Sequence, residues 1–407
     1  MKRFSALMFA ACLTSLTIQN SDAAPASQPS LQPAMPSGKV ATEGEYVLPI
    51  EIWNDCILVK MDINGVTGWM IWDSGFSTSA LDATRASRAK LSMGKRLSEG
   101  VDANGKLITL PIHIARRARV GGIRIDDSPF ARIDLQQIFG PTPKPIGILG
   151  SSIIRKLNWQ FDFDREVVTV STKRREAEGP RLRFFYDEMN VPRILLGING
   201  HAGYAIVDFG YTGDFVGMPM GAASAFGSAK RSKVTGFASS SVGGLANQAD
   251  SYVISDYRMT LGEDQVHVPT DMRAFLDGSS DAALLGNRFF RRFNTVLNGP
   301  DGQIILAPRA RALEPMPRKQ FGFTIGMHEG KAVVLTRGNN PNVTRHPDLP
   351  LLAEVAAING ESIAGLLAAG HSLQDVQIRL LRQERPMRLD LQDGRSITLL
   401  PEDDIFE

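Results

Sequence analysis

Residues 63–75 read INGVTGWMIWDSG, and residues 198–210 read INGHAGYAIVDFG. Ile, Asn, Gly, a second Gly, an aromatic, Ile, Asp and a final Gly recur in register, which sets Asp73 and Asp208 135 residues apart. A second pair of signals follows. Residues 147–158 are GILGSSIIRKLN and residues 283–294 are ALLGNRFFRRFN, with Gly150 and Gly286 136 residues apart. Each is followed by a hairpin-like return, FDFDREVVTVS in one case and VLNGPDGQIILAP in the other. Two ordered signals at nearly one spacing indicate a duplicated unit. The period is too long for a solenoid, whose repeats run about 20–50 residues, so the duplication implies two homologous lobes.

The surrounding texture is mainly β. Short β-branched and apolar runs, such as residues 46–52, 57–63, 69–72, 108–114 and 167–171, are punctuated by Gly, Asn-Gly and Asp-Gly. In each copy an Asp ends an apolar strand and enters a turn that reaches Gly two residues later. A carboxylate beside such strands is costly unless it is hydrogen-bonded or functional, and Gly permits the tight turn and a close backbone approach. A single Asp-Ser-Gly reads equally well as an ordinary turn. The second copy shifts the weight, because a duplicated lobe can bring two equivalent carboxylates together at a pseudo-twofold axis.

On these residues the chain resembles the bacterial retropepsin-like aspartic proteases, with two pepsin/retropepsin-like β-barrel lobes in one chain. The lobe pattern of that family is an apolar strand, Asp-(Thr/Ser)-Gly, a flap hairpin, then two apolar residues and Gly opening a short helix. Asp73-Ser74-Gly75 and Ile148-Leu149-Gly150 fit it, as do Asp208, Gly210 and Leu284-Leu285-Gly286. The resemblance spans about residues 45–310. It implies an endopeptidase with a catalytic Asp73–Asp208 dyad supported by Ser74, Gly75 and Gly210, no metal and no cofactor. Ser74 would bond the opposing backbone. Asn104-Gly105 lies about 30 residues after Asp73, is a hairpin signal, and marks either the flap or a plain surface hairpin; the Ser- and Gly-rich residues 236–244 are a second flap or a mobile loop. Two nearby carboxylates share one proton, so one activates water while the other polarises the scissile carbonyl.

One residue departs from the pattern. Phe209 stands where the family has Thr or Ser, and a phenyl ring cannot make the reciprocal hydrogen bond under the dyad. That keeps open a different class of function: a catalytically impaired peptide-binding protein retaining the cleft. A kinase reading of Asp-Phe-Gly fails for want of a glycine-rich phosphate loop and a His-Arg-Asp segment. The six histidines are scattered without metal-ligand spacing, and no Gly-x-Ser-x-Gly elbow occurs.

Composition agrees with a globular protein. The 407 residues carry 45 Lys+Arg against 43 Asp+Glu, which gives no electrostatic case for nucleic acid. Lys2 and Arg3, the apolar run 4–16 and small residues near Ala23 form a signal-peptide layout over residues 1–23, too interrupted for a stable transmembrane anchor. Its removal leaves Cys56 alone. Export to a bacterial periplasm or secretion is the expectation. Residues 24–44, rich in Pro, Ser and Ala, read as a flexible linker. Breaks at 173–180 and 307–317 divide lobes at 45–175 and 176–310 from a C-terminal segment at 319–407. That segment resembles a bacterial PDZ domain, a small α+β fold. Phe321, Gly322 and Phe323 fall where its carboxylate-binding loop would lie, and Ile358-Asn359-Gly360 matches its characteristic turn. The resemblance implies two partners: a peptide or protein substrate at the dyad and a peptide C-terminus at the PDZ-like groove, bound by strand addition. Polar residues 339–350 and Ala353-Glu354 depart from that family.

Overall fold

The computed structural model describes residues 38–407, apart from 102–106, 142, 214–215, 239, 242–243, 269–272 and 281. The expected signal peptide, most of the expected linker and the Asn104-Gly105 flap tip therefore lie outside the described residues. The chain is mainly β. Among the described residues no helix is long and apolar enough to cross a membrane.

Asn-Gly dipeptides set the registers. Strand Cys56–Ile63 turns into Val66–Trp72 through Asn64 and Gly65, at φ 51° and 91°. Pro192–Ile198 turns into His201–Asp208 through Asn199 and Gly200, at φ 48° and 88°. Two successive positive φ values match the twist of flanking strands, and Asn and Gly tolerate them best. The hairpins therefore deliver the matched aspartates to the same place, Asp73 just past the end of its strand and Asp208 as the last residue of its own. Trp72 pairs in parallel with Leu149, and Asp208 with Gly286, so each Asp meets the Leu-Leu-Gly or Ile-Leu-Gly strand. Ser79–Asp82 and Val216–Pro219 cross back antiparallel to those same inner strands. Each then pairs in parallel with a further strand, Ile123–Ile133 in one half and Ala274–Asp277 in the other.

A six-stranded antiparallel sheet joins the halves. Its order is Glu45–Trp53, Val167–Ser171, Asn158–Asp162, Asn294–Asn298, Gln303–Ala307 and Arg181–Tyr186. One continuous apolar core runs through both halves, from Ile50 to Leu306. The fully buried rings of Trp72, Trp159, Phe161 and Phe209 lie at its centre.

Two boundaries differ from the sequence expectation. Lys39–Val40 already pairs with Ile125 and Asp126, so strand pairing is present inside the segment read as a linker. The break near 307–317 is also tethered: the Arg309 guanidinium donates to Asp164 and to the carbonyls of Arg291 and Phe163. Pro-rich composition signals the lack of repetitive structure there but carries no information about a distant carboxylate. Burial works against the Asp164 charge, yet donors from Ala310, Asn294, Arg309 and Arg311 bring its carboxyl down to about 2.

The C-terminal segment has its own core, from Phe321 to Leu399. Helix Leu373–Arg382 buries Leu373, Val376, Gln377, Leu380 and Leu381, the spacing of one helical face. Ser372 caps it, accepting from the Asp375 N–H. Strand Lys331–Gly338 pairs with Phe323–His328 along its length, and its last residues pair with Val234–Gly236 of the second half. Asn339 and Glu407 continue that contact at Lys233 and Arg231. The outer edge of strand Arg231–Gly236 is thus covered by the C-terminal segment.

Candidate active site

Each aspartate is held by the turn that follows it. Asp73 Oδ1 accepts from the Phe76 N–H at 3.0 Å, and its own N–H donates to the Leu149 carbonyl at 3.0 Å. Asp208 Oδ1 accepts from the N–H groups of Gly210 and Tyr211, at 2.8 and 3.0 Å. The two turns face each other. A Cβ on Gly75 would lie 2.4–2.6 Å from the Asp208 carboxyl atoms, and one on Gly210 would lie 2.3–2.6 Å from those of Asp73. Each glycine therefore makes room for the carboxyl of the opposite half, and any larger residue would drive the pair apart.

The two carboxyls face each other across this pair of turns, and both stay half-buried. Loss of solvent raises Asp73 well above the ordinary carboxylate range, and the Asp208 charge adds to this. Burial raises Asp208 too, by less, because the Gly210 and Tyr211 N–H groups favour its ionised form. Both carboxyls are thus held above the ordinary range, Asp73 the further, and the two titrate as one pair.

Ser74 makes a cross-half bond. Its buried hydroxyl donates to the Val207 carbonyl at 2.5 Å and accepts from the Phe209 N–H at 3.2 Å. Phe209 returns no such bond. Its ring is fully buried, stacked on Phe290 at 4.4 Å and edge-on to Trp72 at 4.7 Å. Contact between positions 209 and 72 thus survives as ring packing.

Sequence reading missed the next layer. Ser151 Oγ donates to the Ser74 carbonyl at 3.1 Å. Asn287, at the equivalent position, donates to the Phe209 carbonyl at 3.2 Å and to the Asp55 carbonyl at 2.8 Å. Asp55 in turn pairs with Arg288 and Arg291. The signal available was the residue following Gly150 and Gly286 in the repeat; nothing local marks Asp55.

In the C-terminal segment, Phe321 and Phe323 are core residues rather than a groove lining. Gly322 has φ 74° and its carbonyl accepts from Gly338. The Gln377 side chain accepts from the Ile325 N–H at 3.0 Å and donates to its carbonyl at 2.8 Å. An added peptide strand would need those same backbone groups. Among the described residues no His, Cys, Asp and Glu cluster is placed to hold a metal ion.

Residues 59–153 match the aspartyl protease family model, a stretch that contains Asp73, Ser74, Gly75 and Gly150. This supports a retropepsin-like aspartyl protease domain and a peptidase-type function. No curated protein matches the chain.

Proposed function

We propose that the protein is an aspartic endopeptidase, exported to a periplasm or secreted, whose dyad takes Asp73 from one lobe and Asp208 from the other. The observation that carries this is the reciprocal nesting of Gly75 under Asp208 and Gly210 under Asp73, which leaves the two carboxyls side by side. Holding two carboxyls together in a half-buried site costs stability, and acid–base work is what such a pair supplies.

In the proposed reaction ionised Asp208 takes a proton from water as its oxygen attacks the scissile carbonyl carbon. Asp73 donates its proton toward the carbonyl oxygen, leaving a neutral tetrahedral diol. Breakdown returns a diol proton to Asp73 while the Asp208 proton passes to the leaving nitrogen as the C–N bond breaks. The products are a carboxylic acid and an amine, and the dyad again holds one proton. The turn N–H donors on Asp208 keep its charge in place without reorganisation.

A second reading, a peptide-binding protein with impaired chemistry, is favoured by Phe209 alone. For the C-terminal module the occupied Ile325 edge favours a bracing role on strand Arg231–Gly236 over capture of peptide C-termini.

The test is cleavage of a diverse peptide library by wild type, Asp73→Asn and Asp208→Asn from acidic to neutral pH. Cleavage by wild type alone, strongest in acid, is expected. Cleavage persisting in either variant excludes the aspartic mechanism, and binding without cleavage at any pH selects the second reading.

A further inference from the structure

We propose that Asn287 is the positioning residue of the dyad: it holds the Phe209–Gly210 peptide against Asp208 and supplies the tie between halves that Phe209 cannot make. The proposal rests on the reading of Asp73 and Asp208 as a working pair, and it adds a residue outside the Asp-x-Gly pattern.

The geometry forms one chain of bonds. Asn287 Nδ2 donates to the Phe209 carbonyl at 3.2 Å. The same peptide unit carries the Gly210 N–H that donates to Asp208 Oδ1 at 2.8 Å. A donor on the carbonyl orients that peptide and polarises its N–H, as hydrogen bonds in series do. The Asn287 main-chain N–H also donates to the Tyr211 carbonyl at 3.2 Å, so one residue grips both ends of the turn that cradles Asp208. Ser151 grips the Asp73 turn in the same way, through its N–H to Phe76 and its hydroxyl to Ser74.

The two positions differ in one respect that matters. A serine hydroxyl has one proton to donate, and an amide has two. Asn287 uses the second on the Asp55 carbonyl of the other half, at 2.8 Å. Asp55 sits in the turn after strand Glu45–Trp53 at φ 59°, and its carboxylate is gripped by Arg288 and Arg291. Two carbonyl acceptors fix which end of the amide faces them, and Asn287 is fully buried. Ser74 reaches from the first half to Val207, and Asn287 reaches from the second half to Asp55. The reciprocity missing at Phe209 returns one layer further out.

The test is a carboxyl-carbon NMR titration of the full chain with labelled aspartate, comparing wild type, Asn287→Ala and Asn287→Ser. It needs no turnover, so it remains decisive even where no peptide is cleaved. The lower of the two dyad steps is expected to rise by about one pH unit in Asn287→Ala, as a donor to the ionised form is weakened. Asn287→Ser, which keeps a single donor as Ser151 does, is expected between the two. A purely structural Asn287 would lower the unfolding midpoint and leave the steps in place. Whichever variant folds, a lower step coinciding with that of wild type overturns the proposal.

Discussion

Replacing Phe209 with Thr tests how the packing and the hydrogen bonding under the dyad divide the work. The ring is fully buried and meets Phe290 at 4.4 Å, Trp72 at 4.7 Å and Phe161 at 5.9 Å. Truncating such a phenylalanine to alanine costs about 3–5 kcal/mol, and aromatic pairs add about 0.5–1.5 kcal/mol each beyond area. Threonine fills part of the space. By symmetry with Ser74 its hydroxyl would reach the Trp72 carbonyl, recovering about 1 kcal/mol. The net expectation is a loss of about 2–4 kcal/mol, read as a lower urea midpoint at unchanged slope. Turnover should change little, within about threefold, or less than 1 kcal/mol of barrier, because Asn287 already ties the halves. Urea unfolding and steady-state cleavage on the same preparation measure both. A stability loss below 1 kcal/mol would refute the packing reasoning. A hundredfold gain in kcat would show that the missing hydroxyl is the limiting defect and that Asn287 does not substitute for it.

Three further outcomes are expected. Asp55→Ala leaves the Arg288 and Arg291 charges buried without their partner and should cost about 3–5 kcal/mol in urea unfolding; an effect within 0.5 kcal/mol would remove Asp55 from the inter-half contact. The Asp164 carboxyl is depressed to about 2, so its contribution is whole above an unfolded value of about 3.9 and drains as pH falls toward the folded one. Asp164→Asn should therefore flatten the acid limb of the unfolding profile and open the tethered 309–311 segment to proteolysis. Asp73 shifts the other way: its raised folded value means that protonation favours the fold, with the contribution whole at low pH and lost as pH rises through that value. Asp73→Asn should accordingly raise the melting temperature relative to wild type at pH 7 and much less at pH 3; an equal difference at both would contradict the raised Asp73 carboxyl.

What the sequence could disclose followed physical locality. The Asn-Gly turns, the apolar strands and the Asp-x-Gly turns are local patterns, and their doubling made the mainly β fold and the facing aspartates legible. Ser74 was legible by its place in the motif, although its acceptor, Val207, lies in the other half. Asn287 and Asp55 were not, because 232 residues separate them and an Asn after Gly286 reads locally as a helix start. Gln377 lies on the buried face of an amphipathic helix, where periodicity marks the position for the core but not its bond to Ile325. The pairing of Lys331–Gly338 with strand Arg231–Gly236 depends on which edges meet in three dimensions, and strand composition alone does not specify an edge partner.

The most direct measurement of the dyad is affinity for a mimic of its tetrahedral state. A peptide cleaved by wild type, rebuilt with a secondary alcohol in place of the scissile carbonyl, should bind at least about 100-fold tighter than the parent sequence. Asp208→Asn, which cannot hold the negative charge that accepts from that hydroxyl, should return the affinity to the level of the parent peptide. Equal binding of alcohol and parent by wild type, or an advantage that survives in Asp208→Asn, would contradict catalysis by Asp73 and Asp208.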